Sequence, residues 1–332
     1  MARNFNLYRY RMPFSRKGET NTRHTHEVRE GLIVSLEDGD TRGQGEIAPL
    51  PRLSVETLIE AEQQALDLLS QWQARRAIEP TLERAAPSVA FGLSAALSEL
   101  TGALPETCQK RSATLMDCAD IAAFIENLQR SDAREKAPVV KIKVGRDAPD
   151  TEARAVLTLM TALPWVKVRL DANRAWTLNE ALDFARHLNA RTDSSIAFIE
   201  EPCQTPALSL RFAQETGIKI AWDEHVREAD FHPNDAKTSL VAAWVIKPSL
   251  TGSIARCRAL TDQARQHRID AVISSSYESS LGLTQLMRLA AWLSPETLPG
   301  LDTGHVFQTC IARGMPDDPR AIIPLSSLEK IA

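Results

Sequence analysis

From about residue 112, short apolar runs alternate with longer segments of helical spacing. The runs cover residues 113–116, 139–144, 166–171, 196–200, 218–223, 242–247 and 270–275, with a weak last one near 298–301. Each is strand-sized. Segments 150–163, 178–190, 253–267 and 283–293 carry apolar residues at helical spacing between them. Eight strands with intervening helices in about 190 residues predict a parallel β/α barrel of near-minimal size. An open doubly wound sheet shows the same alternation. No GxGxxG or P-loop follows the first run, which counts against a nucleotide-binding version.

The first hundred residues are patterned differently. Residues 5–12 and 31–37 predict strands, and the polar run 15–30 between them predicts a long loop. A turn-rich passage follows at 43–51, GQGEIAPLP. A helix is then expected from Ser54 or Thr57 to about Ala74, with Leu58, Ala61, Ala65, Leu68, Leu69 and Trp72 at helical spacing, and another over 88–100. Strands followed by helices predict an α+β domain over 1–105, before a barrel over 106–302. The tail, 303–332, has no barrel pattern and is expected to return to the first domain.

The length of 332 residues agrees with two domains. Apolar residues make up 43% and charged residues 25%, as in soluble globular proteins. A net charge of −4 offers no basic excess for nucleic acid or an acidic membrane. No stretch reaches the roughly 20 apolar residues a bilayer span needs. The N-terminus, MARNFNLYRYRMPFS, lacks an apolar signal core, so a cytoplasmic location is the default. Five scattered cysteines without a CxxC predict reduced, mostly buried thiols. His24 and His26 form an HxH within the polar run, where a surface loop is favoured over a metal site.

The candidate chemistry lies at the strand ends. The second barrel strand carries Lys141 and Lys143, and the next four end at Asp171, Glu200, Asp223 and Lys247. The gaps from Lys143 onward are 28, 29, 23 and 24 residues, each the length of one βα unit. Residues two apart share a strand face, so Lys141 points with Lys143 and Arg169 with Asp171. Taken singly, an Asp after a strand is usually a turn residue or helix cap, Glu201-Pro202 reads as a turn, and strand-end lysines are usually solvated. Their recurrence at one register changes the reading, because active sites of barrels lie at the C-terminal strand ends. Three converging carboxylates repel one another, and a divalent cation resolves that repulsion. An all-oxygen set favours Mg²⁺ over Zn²⁺.

With these residues in view, the chain resembles the enolase superfamily, in its muconate-lactonising subgroup. The matching pieces are Lys-Ile-Lys at 141–143, Asp-Ala-Asn at 171–173, Glu-Glu-Pro at 200–202, Asp-Glu at 223–224 and Ile-Lys-Pro at 246–248. The stretches GQGEIAPLP, PSVAFGLSAALSEL (87–100), VRLDANRAW (168–176), FIEEPC (198–203), IAWDE (220–224), VISSSYESSLGLTQL (272–286) and PGLDT (299–303) are most similar to the proteobacterial o-succinylbenzoate synthase family. His225 departs from the family pattern, where Ser is common, and the 15–27 loop matches nothing closely. The resemblance implies an α/β fold, a (β/α)7β TIM-like barrel with an N-terminal α+β capping domain completed by the C-terminal tail.

It also implies Mg²⁺, replaceable by Mn²⁺, bound by Asp171, Glu200 and Asp223, in a carbon–oxygen lyase of menaquinone biosynthesis. The expected reaction is syn dehydration of 2-succinyl-6-hydroxy-2,4-cyclohexadiene-1-carboxylate to 2-succinylbenzoate through an enediolate. Lys143 is the expected base, and Lys141 a second positive charge that lowers the base's pKa and holds a carboxylate oxygen. Lys247 supports the flat anion by electrostatic or cation–π contact. Asn173 supports the metal ligands or their waters, and Arg169 either orients substrate or carboxylates or makes a buried structural ion pair. Ser274, Ser275, Ser276 and Gly300 either receive the succinyl carboxylate or form ordinary turns, while Tyr277 and Glu278 are structural. The 15–30 loop is a candidate lid.

The partner expected is a small carboxylate substrate, with neither nucleic acid nor membrane, in a monomer or weak homo-oligomer. Racemisation of N-succinyl amino acids, dipeptide epimerisation and cycloisomerisation are alternatives within the fold. The last turn, Gly300-Leu301-Asp302-Thr303, lacks the second Asp typical of dipeptide epimerases. A Schiff-base aldolase would need no carboxylate trio, and a non-catalytic barrel would not retain every one of these groups.

Overall fold

The computed structural model describes residues 3–15, 28–130, 139–188, 195–232 and 239–332. Most of the candidate lid, residues 16–27 with His24 and His26, lies outside the described residues. In chain order the elements are β1 (Arg3–Pro13), β2 (Val28–Asp38), β3 (Thr41–Ile47), α1 (Leu58–Gln73), α2 (Glu79–Leu82), α3 (Pro87–Leu100), β4 (Thr114–Asp117), α4 (Ile121–Arg130), β5 (Val139–Lys143), α5 (Pro149–Ala162), β6 (Lys167–Asp171), α6 (Leu178–Leu188), β7 (Ile196–Glu200) and α7 (Pro206–Thr216). There follow β8 (Ile220–Trp222), β9 (Val241–Ile246), α8 (Pro248–Thr251), α9 (Ile254–Gln266), β10 (Asp270–Ile273), α10 (Ser280–Leu293), β11 (Cys310–Ile311), β12 (Ile322–Ile323) and β13 (Glu329–Lys330).

The chain folds into two compact units, residues 1–111 with 246–262 and 273–332, and residues 112–245 with 263–272. In the first, β1, β2 and β3 form an antiparallel sheet that β13 extends beside β1. Alternation along β2 divides its apolar residues between two cores. Leu32, Val34 and Leu36 join the α1 residues Ala61, Ala65, Leu69 and Trp72. Ile33 instead joins Tyr10, Met12, Leu281 and Phe307. Thr57 begins α1 with a capping box, its side chain accepting from the Glu60 N–H while Glu60 accepts from the Thr57 N–H.

Contact between α3 and β3 is so close that only glycine fits at key positions. A Cβ on Gly45 would lie 1.9 Å from the Gly92 carbonyl oxygen, and one on Gly43 would lie 2.1 Å from that of Ala96. The expected turn-rich passage is therefore strand as far as Ile47: Gly43 and Gly45 pair with Leu36 and Val34 of β2, and their missing side chains admit a helix rather than turn the chain.

In the second unit the seven-stranded order is β10-β9-β8-β7-β6-β5-β4, parallel in each pair from β4 to β9. Val140, Ile142, Val168, Leu170 and Ile199 are buried, and the alternating positions carry the lysines and carboxylates. This sheet with its helices is the barrel fold expected from the alternation. Its strands fall within a few residues of the expected runs. The helix α4, which the strand–helix reading did not delimit, follows β4 with Ile121 buried. The weak eighth run is reduced to one parallel bridge between Ser274 and Gly300 among the described residues. Pro299 and Gly300 leave little chain able to extend the pairing.

The five cysteines are free, and Cys203, Cys257 and Cys310 are buried. Among the described residues no helix is long and apolar enough to cross a membrane.

Gly45→Ala tests the helix–strand contact. Overpacking typically costs about 1–3 kcal/mol, so urea unfolding should show a loss of that order or more. Wild-type stability in the variant would contradict the close approach.

Candidate active site

Strand register assembles the site. Lys143 pairs with Asp171 across β5 and β6, and Asp171 pairs with Glu200 across β6 and β7. Parallel partners at the same level point to the same face, so an ammonium and two carboxylates form one row. Lys141 lies opposite Arg169 one step earlier on that face. Asp223 immediately follows Trp222, the last residue of β8.

The row is almost wholly buried. Asp171, Glu200 and Asp223 are each 1% exposed. Lys141 Nζ lies 2.6 Å from Glu200 Oε2 and 2.9 Å from Asp171 Oδ2. Lys143 Nζ is 2.5 Å from the same Asp171 oxygen and donates to Asn173 Oδ1 at 2.8 Å. The Asn173 N–H donates to Asp171 Oδ1 at 3.1 Å, which fixes the other carboxylate oxygen. Arg227 Nη2 stands 3.9 Å from Asp223 Oδ1. The Arg169 guanidinium lies over the Phe198 ring at 5.3 Å, within the sheet face that also holds Ala221, Ala243 and Val245.

Charges in this setting perturb one another. Burial alone would lower the Lys141 pKa, but Asp171, Glu200 and Asp223 outweigh it and raise it well above the ordinary lysine value. Burial pushes the Glu200 carboxyl up. Lys141 opposes this, while Asp171 and Asp223 add to the rise. Burial likewise lowers Arg169, against the attraction of Glu200 and Asp270.

The three carboxylates thus lie within electrostatic reach of one another, and each supplies only oxygen. A donor set of buried, mutually repelling carboxylates fits a hard divalent cation. Among the described residues the group whose ligand atoms all lie within 4.8 Å of one another is a different one, His225, Glu228 and Asp230; the three strand-end carboxylates, separated by Lys141, do not draw together to that extent. Glu228 is already bonded to Arg174 at 2.5 Å and to His225 Nδ1 at 2.6 Å.

Other expected residues fall in the first unit. Lys247 directly follows β9, and its carbonyl accepts from the Leu250 and Thr251 N–H groups that end the short helix α8. The Ser274 N–H donates to the Ile246 carbonyl, and the Ser275 N–H to that of Gly300. The Ser276 N–H donates to Glu278 Oε2 at 2.6 Å. The Ser274 and Ser275 hydroxyls both reach the Gly300 carbonyl, at 3.1 and 3.3 Å, while the Gly300 N–H donates to Ile273. The Ser274, Ser275 and Gly300 donors are engaged within the protein, whereas the buried Ser276 hydroxyl has no hydrogen-bond partner among the described residues. Glu278 accepts from Ser249 Oγ and the Ser276 N–H. Tyr277 packs edge-on against Phe14 and, at φ 60°, occupies the left-handed region.

Residue types and spacing alone did not single out Arg174 or Glu228, and Glu201 read as part of a turn. The structure joins all three. Arg174 bonds Glu201 at 2.9 Å and Glu228 at 2.5 Å. The available signal was adjacency, since Arg174 follows Asp-Ala-Asn and Glu201 is the second acid of Glu-Glu-Pro.

A parallel strand–helix barrel with lysines and carboxylates on neighbouring strand ends is the arrangement of enolase-type enzymes. Comparison with known proteins agrees. Residues 2–100 match the family model described as MenC, N-terminal domain, and residues 123–322 match Enolase C-terminal domain-like. An o-succinylbenzoate synthase from Pectobacterium atrosepticum is 47% identical over 99% of this chain and 98% of its own. Another from Edwardsiella ictaluri is 49% identical over 93% of each chain. Among solved structures, o-succinylbenzoate synthase from Thermosynechococcus elongatus BP-1, complexed with Mg in its active site, matches with TM-score 0.74 and 25% identity over 93% of this chain and 95% of that one. The L-Ala-D/L-Glu epimerase from Bacillus subtilis, at 20% identity and TM-score 0.73 over 92% and 91%, shows the shared fold. The chain belongs to the enolase superfamily and, within it, to the o-succinylbenzoate synthase family of lyases.

Removing one partner of a buried ion pair costs about 3–5 kcal/mol, because the remaining charge is left uncompensated. Lys141→Met should therefore melt well below wild type in EDTA, and added Mg²⁺ should restore more stability to it than to wild type. Equal melting of the two proteins in EDTA would contradict Lys141 as the internal counter-charge.

Proposed function

We propose that the protein dehydrates 2-succinyl-6-hydroxy-2,4-cyclohexadiene-1-carboxylate to 2-succinylbenzoate in menaquinone biosynthesis, with Mg²⁺ held by Asp171, Glu200 and Asp223. The observation that carries this reading is the row of half-buried Lys143 with buried Asp171 and Glu200 on one sheet face, with buried Lys141 beside it. The names of relatives at 47–49% identity along nearly the whole chain support the substrate. The magnesium named for the Thermosynechococcus structure supports the metal.

A proton α to a carboxylate is too weakly acidic for an unaided lysine to remove quickly. A bound divalent cation supplies electrostatic stabilisation of the charge that develops on the substrate carboxylate. In its neutral form, Lys143 takes the α-proton. The hydroxyl β to the carboxylate then departs, receiving its proton from the same Lys143, so that water leaves from the face on which the proton was taken. Loss of the hydroxyl aromatises the ring. Asn173 orients Lys143 through its 2.8 Å contact.

Lys141 is the fixed positive charge that keeps Asp171 and Glu200 together, and Arg169 contributes a buried cation beneath the row. Lys247 is assigned to support of the planar anion. The inward hydrogen bonds of Ser274, Ser275 and Gly300 favour a shaping role for them over direct donation to the succinyl group, while the unpartnered Ser276 hydroxyl keeps Ser276 as a donor to it. This reading makes the protein a cytoplasmic enzyme acting on a small dicarboxylate.

Incubation with Mg²⁺ and the cyclohexadiene should remove the diene absorbance, and EDTA should stop the loss. A protein that leaves the diene unchanged but racemises N-succinyl amino acids would overturn the dehydratase reading in favour of the racemase. Lys143→Ala should lose turnover and α-proton exchange together, since general-base catalysis contributes roughly 10²–10⁴-fold and this proton has no other proposed acceptor. Retained exchange in the variant would remove Lys143 from the role of base.

A further inference from the structure

One ion pair, between the half-buried Arg174 and the buried Glu201, ties together the three loops that carry the carboxylates. Glu201 follows Glu200 directly and is fully buried. Its Oε1 accepts from the backbone N–H of Asp223 at 3.1 Å and from that of His225 at 2.9 Å. Its Oε2 accepts from Arg174 Nε at 2.9 Å. Arg174 lies three residues after Asp171, and its backbone N–H also donates to the Glu201 carbonyl at 2.7 Å. The loop after β6, the loop after β7 and the loop after β8 therefore meet at one carboxylate and one guanidinium.

The outer end of the link is closed as well. Arg174 Nη1 reaches Glu228 at 2.5 Å, and the other Glu228 oxygen meets His225 Nδ1 at 2.6 Å. The His225 ring is held edge-on between Trp222 and Phe231, with centroids 5.0 and 5.3 Å away. Asn173, Arg174 and Glu201 all occupy the left-handed region, with φ of 45°, 58° and 38°. Non-glycine residues there store strain, which persists only where surrounding bonds over-determine the backbone. The network of Arg174 and Glu201 is that over-determination, and it falls at the residues beside two of the carboxylates.

We infer that Arg174 and Glu201 are positioning residues, which set the spacing of Asp171, Glu200 and Asp223 so that one divalent cation meets all three. The inference rests on the metal site proposed above and extends it to residues that touch no metal. Glu201 does so by fixing the Asp223 backbone, Arg174 by locking the chain after Asp171 to the chain after Glu200. His225 and Glu228 brace the outer end, which gives His225 a role that a serine's shorter side chain would not fill in this way.

The probe is Mn²⁺ alone, titrated into metal-free protein and followed by the electron paramagnetic resonance of the free ion. The full chain is used, at a temperature where circular dichroism shows each variant folded. Removing groups that orient metal ligands typically weakens metal binding about 10–100-fold, and Glu201→Ala, which leaves two N–H groups without their acceptor, is expected to fall in that range. Glu201→Gln keeps an oxygen for those groups and should recover part of the affinity. Arg174→Lys retains a charge beside Glu201 but cannot fork to both carboxylates, so it should also weaken Mn²⁺ and remains informative if Glu201→Ala does not fold.

A purely structural pair would lower melting in EDTA and leave Mn²⁺ affinity below the melting range unchanged. Wild-type affinity in a folded Glu201→Ala, or in Arg174→Lys where Glu201→Ala does not fold, would overturn the positioning role. A wild-type protein that binds no Mn²⁺ would instead overturn the metal site on which the role rests.

Discussion

Burying several carboxylates side by side is the constraint on which this site depends. Asp171 and Glu200 occupy neighbouring strands at the same level, and Asp223 begins the loop after the next strand. Removed from water, each raises the cost of ionising the others. The protein offsets that cost with lysines that rise from the same sheet face. Lys141 bridges Asp171 and Glu200, while Lys143 shares the Asp171 oxygen. The upward push on both the Lys141 and Glu200 pKa values reflects a single conflict between low polarity and crowded charge. A cation held by oxygen ligands relieves that conflict.

The sheet makes the conflict possible because register is a rigid property of paired strands. Val140, Ile142, Val168 and Leu170 are fully buried, so a one-residue slip would exchange them with the charged face. Loops beyond the strands have no such ladder. There, backbone placement depends on side chains, and Glu201 accepts N–H donors from the loop after the next strand, 22 and 24 residues on. The first unit solves its own packing differently, with α3 seated against glycines of β3 at distances that exclude any side chain.

The strand positions were legible because period-two burial and βα spacing act through residue type alone. Asp171, Glu200 and Asp223 could be aligned from parity and gap length without knowing a distance. The 298–301 run was weaker because a strand needs a partner ladder, and Gly300 makes only one bridge. The donors of Ser274 and Ser275 were legible as hydroxyls, but their inward direction depends on the Gly300 carbonyl, which no sequence pattern locates. Glu201 was hidden for a related reason: beside Pro202 it has the composition of a turn, and its partners come from residues 174, 223 and 225. Arg174 has the same difficulty, since an arginine after Asp-Ala-Asn resembles any solvated loop residue until its two carboxylate partners are known.

The most direct test is a crystal structure grown with Mn²⁺ and 2-succinylbenzoate, using anomalous scattering to locate the metal. The account predicts one strong manganese peak ligated by Asp171, Glu200 and Asp223, with the product carboxylate beside it and Lys143 facing the ring. A manganese ion found instead at His225, Glu228 and Asp230, or no ordered ion among the strand-end carboxylates, would contradict it.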